Sequence, residues 1–133
     1  LLLSSAASDV YKRQDKMIQL LKAWRVDLIV LAGYMRVIKN PDAFPAPMIN
    51  IHPSLLPKYK GLNAIEQALD SGDSVTGCTV HYVTEELDGG TIIKQQEVPI
   101  LPDDTLESLT KAIQRIEYGL LPSVINSWQS TTI

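Results

Sequence analysis

Two polar side chains set two positions apart, Asn50 and His52, form the pattern in this sequence most suited to chemistry. They lie in the segment 48–53, MINIHP. Side chains of a strand repeat every two residues, so a strand here would carry the amide and the imidazole on one face, close to its carboxyl end. Ligands of open α/β sheets bind at that end. The spacing alone favours a different interpretation, in which Asn50 caps a turn and His52 is a hydrogen-bonded histidine of the core.

The elements before this segment have to place the strand inside a sheet. A helix is predicted from Asp15, because Met17, Leu20, Leu21 and Trp24 follow the i, i+3, i+4, i+7 spacing of an apolar stripe. The continuous apolar run 28–32 that follows is typical of a central parallel strand covered on both faces. Three prolines between residues 37 and 48 predict an irregular loop before the strand 48–52.

The elements after this segment are a short helix, a hairpin and a long helix. The helix covers residues 65–69 and stops near Gly72. Residues 78–83 alternate, Asp88-Gly89-Gly90 turns the chain, and residues 91–98 return, as in an antiparallel hairpin. Asp104 is predicted to cap the last helix, with Glu107 as its reciprocal partner. Its apolar stripe has six members: Leu106, Leu109, Ile113, Ile116, Leu120 and Val124. This order of elements predicts an α/β fold.

Composition restricts the class of protein and of partner. The chain has 133 residues, 45% hydrophobic and 20% charged, which suits one ordinary globular domain. A net charge of −3 leaves no excess of positive charge for the phosphates of nucleic acid or of a membrane, so small molecules are the expected partners. The apolar run 28–33 is far shorter than the roughly 20 residues that cross a bilayer. The single cysteine, Cys78, fits a reducing cytoplasm.

Several common kinds of site are excluded by the sequence. None of the seven glycines belongs to a G-x-G-x-x-G dinucleotide fingerprint. Gly72 and Gly77 have the spacing of a phosphate-binding loop, but Cys78 occupies the position of its lysine. The only histidines, His52 and His81, lie on different predicted elements without a carboxylate at metal-site spacing, so no metal is expected.

Three segments carry a specific resemblance to a known family. They are residues 49–62 (INIHPSLLPKYKGL), 77–81 (GCTVH) and 87–90 (LDGG), and the resemblance extends from Asp15 to about Trp128. The chain resembles the folate-dependent phosphoribosylglycinamide formyltransferase family. Related enzymes that act on methionyl-tRNA share the Asn-x-His and Asp pattern, but Pro53 and the pair Lys58-Tyr59 favour the glycinamide branch.

The resemblance implies transfer of a formyl group from 10-formyltetrahydrofolate, the co-substrate, to the amine of glycinamide ribonucleotide during purine synthesis, without a metal. Asn50, His52 and Asp88 match the catalytic residues. A fixed amide at Asn50 would stabilise the oxyanion formed when the amine attacks. His52 would relay a proton, and Asp88 would favour its imidazolium form. Without the resemblance, Asp88 would be interpreted as an ordinary Asp-Gly turn residue.

The resemblance also implies residues that hold the two substrates. Tyr34, Met35, Arg36, Val37 and Ile38 match the segment that lines the pterin pocket, and Asn50, Glu85 and Asp88 complete the folate site. Three of the five in that segment, Met35, Val37 and Ile38, could equally be core residues at a strand end. Glu117 interrupts the apolar side of the last helix and matches a glutamate that holds ribose hydroxyls. A glutamate at the edge of such a stripe more often reaches solvent.

The sequence departs from the family at its amino end, where a phosphate-binding loop is expected and is not found. Residues 1–14 are interpreted as a non-native or disordered leader, and residues 15–133 as a partial formyltransferase domain. The implied fold is an open, mostly parallel sheet with flanking helices, a carboxyl-terminal antiparallel hairpin and an incomplete Rossmann-like half at the amino end. Two alternatives remain open: a hydrolase that removes formyl from the folate, and an inactive folate-binding fragment.

Overall fold

The computed structural model describes residues 10–32 and 38–131, and these form a four-stranded sheet with three α-helices. The strands are β1 (Ile29–Ala32), β2 (Met48–His52), β3 (Val75–Tyr82) and β4 (Ile92–Pro99). The helices are α1 (Val10–Ala23), α2 (Ala64–Asp70) and α3 (Leu106–Thr131), and Pro41–Ala43 forms one 3-10 turn in the loop before β2. None of the helices in the described ranges is long and apolar enough to span a membrane.

The strands lie in the order β1-β2-β3-β4, which confirms the predicted α/β class, the open sheet and the hairpin. Only β1 and β2 are parallel, and the two other pairs are antiparallel. Within the described residues the sheet is therefore mixed and not mostly parallel. The reason is that the loop and α2, which connect β2 to β3, return the chain to the carboxyl end of β2. Strand β3 starts at that end and runs in the opposite direction, with His52 opposite Thr79 and Ile49 opposite Tyr82.

Two apolar clusters cover the two faces of the sheet. Toward α3, the cluster contains Ile49, Ile51, Cys78 and Val80 of the sheet. Toward α1, it contains Leu21 of the helix with Ile29, Leu31 and Met48 of the sheet. Because side chains alternate along β2, Asn50 and His52 share the face of Met48, which is the α1 side.

Strand β1 differs from its predicted central position. Among the described residues it pairs with β2 alone and lies at the edge of the sheet. Ile29 and Leu31 are nonetheless buried to 1% exposure, because α1 covers one face and the other packs toward α3 through Val30. The continuous apolar sequence thus reports a strand that is buried on one face and half-buried at Val30 on the other, and not the number of neighbouring strands.

The ends of two helices also differ from prediction. Helix α1 begins at Val10, five residues before Asp15, and ends at Ala23, so that Trp24 follows the helix and is 58% exposed. The amino end of α3 is capped by Thr105 and not Asp104: the Ser108 N–H donates to Thr105 Oγ1 (3.1 Å), and the Thr105 N–H donates to Ser108 Oγ (2.8 Å).

The predicted stripe of α3 is largely confirmed. Leu109, Ile113, Leu120 and Val124 are buried in the cluster between α3 and the sheet, and Ile116 packs against it. Leu106, the first residue of the helix, is 46% exposed, because it precedes the turn that first contacts the sheet. Pro122 lies inside α3, which continues beyond it to Thr131.

Candidate active site

A single buried carboxylate, Asp88, lies between two buried histidines. His52 comes from the carboxyl end of β2, His81 from β3, and Asp88 from the loop between β3 and β4. The distance from His52 Nδ1 to Asp88 Oδ2 is 3.4 Å, and from His81 Nε2 to Asp88 Oδ1 it is 3.5 Å. Both histidines are 2% exposed and Asp88 is 7% exposed. Each carboxylate oxygen therefore faces a different imidazole.

Backbone carbonyls orient both imidazole rings. His52 Nε2 lies 2.8 Å from the carbonyl oxygen of Tyr59, and His81 Nδ1 lies 2.9 Å from that of Tyr82. A carbonyl oxygen only accepts hydrogen bonds, so in each ring the nitrogen that faces the carbonyl carries a hydrogen. The other nitrogen of each ring is the one that faces Asp88.

The carboxylate of Asp88 is held from a third side as well. The Gly61 N–H donates to Asp88 Oδ2 at 2.7 Å. Burial by itself raises the pKa of Asp88, but the hydrogen bond with His81, the Gly61 N–H and the charges of His52 and His81 outweigh it, so that this pKa lies below its ordinary value. Asp88 is therefore a carboxylate that remains ionised in a buried place.

The turn that carries Asp88 depends on glycine. Asp88 itself has a left-handed backbone with a φ of 53°. A Cβ atom at Gly90 would lie 1.7 Å from the carbonyl oxygen of Tyr82, a distance that no side chain can occupy. Glycine at this position lets the loop close over the end of β3 and brings Asp88 to the two histidines.

Asn50 lies on the same face of the sheet, directly opposite His81 in the pairing of β2 with β3. The residue is 7% exposed, and its side-chain oxygen Oδ1 is buried without a hydrogen-bond partner. Buried polar atoms normally have a partner, so an unpaired one beside the cluster marks the place where a ligand or a water would bind. The structure thus places Asn50 on the face of the sheet that carries His52, which pairs with Asp88.

A network around Thr79 fixes the loop 53–61, which supplies the Tyr59 carbonyl and the Gly61 N–H. Thr79 Oγ1 donates to the carbonyl of Ser54 (2.7 Å) and accepts from the N–H of Leu56 (3.2 Å). Gln95 Nε2 donates both to Thr79 Oγ1 and to the carbonyl of Leu56, each at 2.9 Å. The loop is therefore tied to β3 and β4 as well as to β2.

The remaining predicted folate residues are only partly described. Tyr34, Met35, Arg36 and Val37 lie outside the described residues. Ile38 is buried at 1% exposure in the cluster next to α1. Glu85 is exposed in the loop between β3 and β4.

Glu117 lies apart from the cluster of His52, Asp88 and His81. It is half-buried on α3, and loss of solvation raises its pKa. It faces Cys78, whose own pKa is raised to about 12, first by burial and then by the charge of Glu117. Because Cys78 points toward α3, Glu117 stands on the opposite face of the sheet from Asp88.

His81 and Thr79 are the residues of this site that sequence reasoning missed. Both stood in the predicted alternating strand, and their shared face follows from the period of two. What the sequence does not contain is the register that sets Asn50 opposite His81 and His52 opposite Thr79. No group of three or more His, Cys, Asp or Glu within residues 10–32 and 38–131 is arranged to hold a metal ion.

Comparison with known proteins supports the resemblance. The family model described as formyl transferase matches residues 3–125 of the chain. The chain belongs to the formyl transferase family. This member is 49% identical over 107 residues to the phosphoribosylglycinamide formyltransferase of Haemophilus influenzae, an alignment that covers 79% of the chain and 50% of that relative.

Two further similarities agree with this placement. The chain is 52% identical over 107 residues to the trifunctional purine biosynthetic protein adenosine-3 of Drosophila melanogaster, covering 79% of the chain and 8% of that protein. The crystal structure of phosphoribosylglycinamide formyltransferase from Bacillus halodurans superposes with a TM-score of 0.84 at 44% identity, covering 90% of the chain and 63% of that structure. This formyl transferase chain thus spans about half the length, or less, of these two curated relatives.

Proposed function

We propose that the chain carries the catalytic centre of a phosphoribosylglycinamide formyltransferase, which transfers the formyl group of 10-formyltetrahydrofolate to the amine of glycinamide ribonucleotide in purine synthesis. One observation carries the proposal: Asp88 and His52 meet at 3.4 Å, buried, beside Asn50 at the carboxyl end of β2. Membership of the formyl transferase family and the names of the relatives above support the choice of reaction.

The reaction needs an oxyanion to be stabilised. The substrate amine attacks the formyl carbon, and the carbonyl oxygen becomes negatively charged as the new carbon–nitrogen bond forms. Asn50 shares a face of β2 with His52, and its side-chain amide can donate a hydrogen bond to that oxygen. A donor fixed by a strand needs little reorganisation as the charge develops, which is the main way in which such groups accelerate a reaction.

The reaction also needs a proton to move. The amine loses a proton as it is acylated, and the folate nitrogen gains one as its bond to the formyl carbon breaks. The reaction therefore needs one proton to be carried from the amine to the folate nitrogen. In the proposed mechanism His52 carries it, because its Nδ1 faces the ionised Asp88 carboxylate and the pair can hold a proton close to the reacting atoms.

The two substrates have separate sets of proposed contacts. The segment 34–38, with Asn50, Glu85 and Asp88, is proposed for the folate, and Glu117 for the ribose of the ribonucleotide. The proposed partners are small molecules and the proposed compartment is the cytoplasm, which suits the single buried thiol of Cys78. No metal enters the proposed reaction.

The test is an acceptor-dependent transfer assay on the complete enzyme that carries this chain. Formylated product should form from 10-formyltetrahydrofolate only when glycinamide ribonucleotide is present. His52→Ala and Asp88→Ala should each lower kcat by more than about tenfold, equivalent to about 1.4 kcal/mol, while the Kd for a folate analogue changes little. Glu86→Gln, an exposed change in the same loop, is the matched control and should keep full activity.

Two results would contradict the proposal. Formate released at the same rate without an amine acceptor would indicate a hydrolase. Turnover of the His52 or Asp88 variant within tenfold of the parent would remove that residue from the catalytic centre.

A further inference from the structure

Tyr59 contacts the candidate active site through its main chain and a separate turn through its side chain. Its carbonyl oxygen lies 2.8 Å from His52 Nε2, and its hydroxyl donates to Asp73 Oδ2 at 2.6 Å, in the turn between α2 and β3. We propose that Tyr59 and Asp73 are a positioning pair, whose hydrogen bond holds the Tyr59 carbonyl at His52 Nε2 and so keeps His52 Nδ1 turned toward Asp88. The proposal rests on the proposed function for its effect on turnover, but the orientation of the ring is a property of the folded protein.

The backbone of Tyr59 is in a conformation that needs support. Its φ of 56° lies in the left-handed region, where the Cβ of a large side chain approaches the backbone too closely. The residue is only partly buried, so the core alone does not fix its side chain. A hydrogen bond at the far end of the phenol restricts the rotation of the side chain and thereby favours this backbone conformation over an extended one.

The peptide groups on either side of the Tyr59 carbonyl have anchors of their own. Ser54 Oγ donates to the carbonyl of Lys58 at 2.6 Å, and the Gly61 N–H donates to Asp88 Oδ2 at 2.7 Å. The carbonyl of Tyr59 lies between these two fixed points. Loss of the phenol contact is therefore expected to loosen this one carbonyl, and not to unfold the loop.

The turn that carries Asp73 is a firm support for the phenol. The Asp73 N–H donates to Ser71 Oγ (3.2 Å), and Ser71 Oγ donates to the carbonyl of Ala68 (2.7 Å), so the turn is tied to the end of α2. The N–H of Ile100, the residue after β4, donates to the carbonyl of Ser74 (2.9 Å). Asp73 is therefore held from both sides.

The phenol of Tyr59 is the main partner of the Asp73 carboxylate. Its hydrogen bond is the largest of the effects on the pKa of Asp73 and outweighs the loss of solvation, so that this pKa lies below its ordinary value. Asp73 is thus ionised at neutral pH, and a distance of 2.6 Å is typical of a charge-assisted bond from a hydroxyl to a carboxylate. Lys58 Nζ lies 3.4 Å from the same oxygen but is 62% exposed, so solvent screens this pair.

The experiment compares Tyr59→Phe, Asp73→Ala, Asp73→Asn and the double variant of Tyr59→Phe with Asp73→Ala, in the complete enzyme that carries this chain. Asp73→Asn still offers an oxygen that accepts from the phenol. Asp70→Asn, at the exposed end of α2, is the matched control, because it removes the same charge close to Asp73 in the sequence.

Nitrogen-15 NMR of labelled histidine observes the ring of His52 without reference to activity. The protons on His52 Nε2 and His81 Nδ1 each bond a main-chain carbonyl, so the second is an internal reference for the first. We expect the His52 proton to exchange with water at least about fivefold faster in Tyr59→Phe and in Asp73→Ala, and the His81 proton to be unchanged. Asp73→Asn should lie between the parent and Asp73→Ala.

The effect on turnover should follow the effect on the ring. We expect kcat to fall by about fivefold in Tyr59→Phe and in Asp73→Ala, with KM for the folate within about twofold of the parent. Because the two residues act through one bond, the double variant should lose no more than either single variant. Asp73→Asn should recover part of the loss, and Asp70→Asn should keep the activity of the parent.

Each outcome decides the proposal. Exchange of the His52 proton that is the same in the parent and in folded Tyr59→Phe overturns it, and so does faster exchange of both ring protons, which indicates a general loosening. Faster exchange at His52 with an unchanged kcat overturns the positioning role. Losses of kcat that multiply in the double variant show that Tyr59 and Asp73 act separately, which overturns the pair.

Two further results are also decisive. If Asp73→Ala does not fold, Tyr59→Phe and Asp73→Asn decide alone, by faster or unchanged exchange of the His52 proton. If the parent has no transferase activity, the proposed function fails, while the NMR measurement still tests whether the bond between Tyr59 and Asp73 holds the ring of His52.

Discussion

The half-buried carboxylate of Glu117 lowers the stability of the folded protein at neutral pH, and the same residue is proposed to hold a ligand. Its carboxylate is half-buried on α3, on the side that faces Cys78, and burial raises its pKa. An acid whose pKa is higher in the folded state than in the unfolded chain binds its proton more tightly when folded. Folding is therefore favoured at low pH and is penalised as the pH rises from the unfolded value toward the folded one. A carboxylate that lowers the free energy of unfolding in this way is consistent with the proposed contact between Glu117 and a ligand.

Glu117→Gln should therefore stabilise the protein at neutral pH, because the amide has no charge to bury. We expect the free energy of unfolding, measured by urea titration at pH 7, to be higher in the variant than in the parent. Below about pH 4 the carboxyl group is protonated in both states and the difference should vanish. Glu107→Gln, an exposed change on the same helix, is the control for a general effect of charge. A variant less stable than the parent at pH 7 would show that the carboxylate has a favourable partner instead.

At the scale of the elements, α3 depends on its first turn. Thr105 and Ser108 bond each other's backbone N–H groups reciprocally, while Asp104 accepts from the Leu101 N–H (2.8 Å) and from Ser108 Oγ (2.6 Å). Asp104 therefore supports the cap from one residue outside it. These bonds set where the helix begins, and hence which of its residues meet the sheet.

Thr105→Ala should destabilise the protein by about 1 kcal/mol, since it removes the oxygen that accepts from the Ser108 N–H. Glu107→Ala, which loses only the exposed pair with Lys111, should cost roughly 0.5 kcal/mol or less. Chemical denaturation of the two variants under one set of conditions compares them directly. Equal losses would contradict the assignment of Thr105 as the cap.

Local patterns in the sequence predicted most of these elements, and non-local pairing accounts for what they missed. The alternation that placed Asn50 and His52 on one face is a property of five neighbouring residues, and the structure has it. Asp104 and Thr105 both suit a helix cap, and only the position of the first turn on the sheet separates them. His81 joins the site through pairing with a strand 31 positions earlier, at Asn50, which no local pattern encodes.

At the scale of the whole molecule, the outer edge of β1 is the part of the sheet that differs most from expectation. Its backbone pairs on one side only within the described residues, although its sequence is that of an interior strand. Such an edge can add a strand from a further segment or from another copy. Residues 1–14 fall before this strand, and their interpretation as a leader stays a prediction.

The 133-residue chain alone should associate in a concentration-dependent way through this edge. Ala32→Lys, at the exposed end of β1, should lower the associated fraction, because a lysine on an edge strand opposes pairing with a second strand. Sedimentation velocity over a hundredfold range of concentration measures it, with Tyr118→Lys on α3 as a surface control. A chain that sediments as a monomer throughout, with or without Ala32→Lys, would show that the edge is already covered.

The two carbonyls that orient His52 and His81 have an evolutionary consequence. Both belong to tyrosines, Tyr59 and Tyr82, but the contact uses the main chain, which every amino acid possesses. A mutation at either position can replace the side chain and leave the acceptor in the chain, provided that the new residue tolerates the local backbone. Either side chain can thus change at the expense of its own contacts, Tyr59 with Asp73 and Tyr82 with Trp128, while the acceptor that orients the imidazole is inherited unchanged.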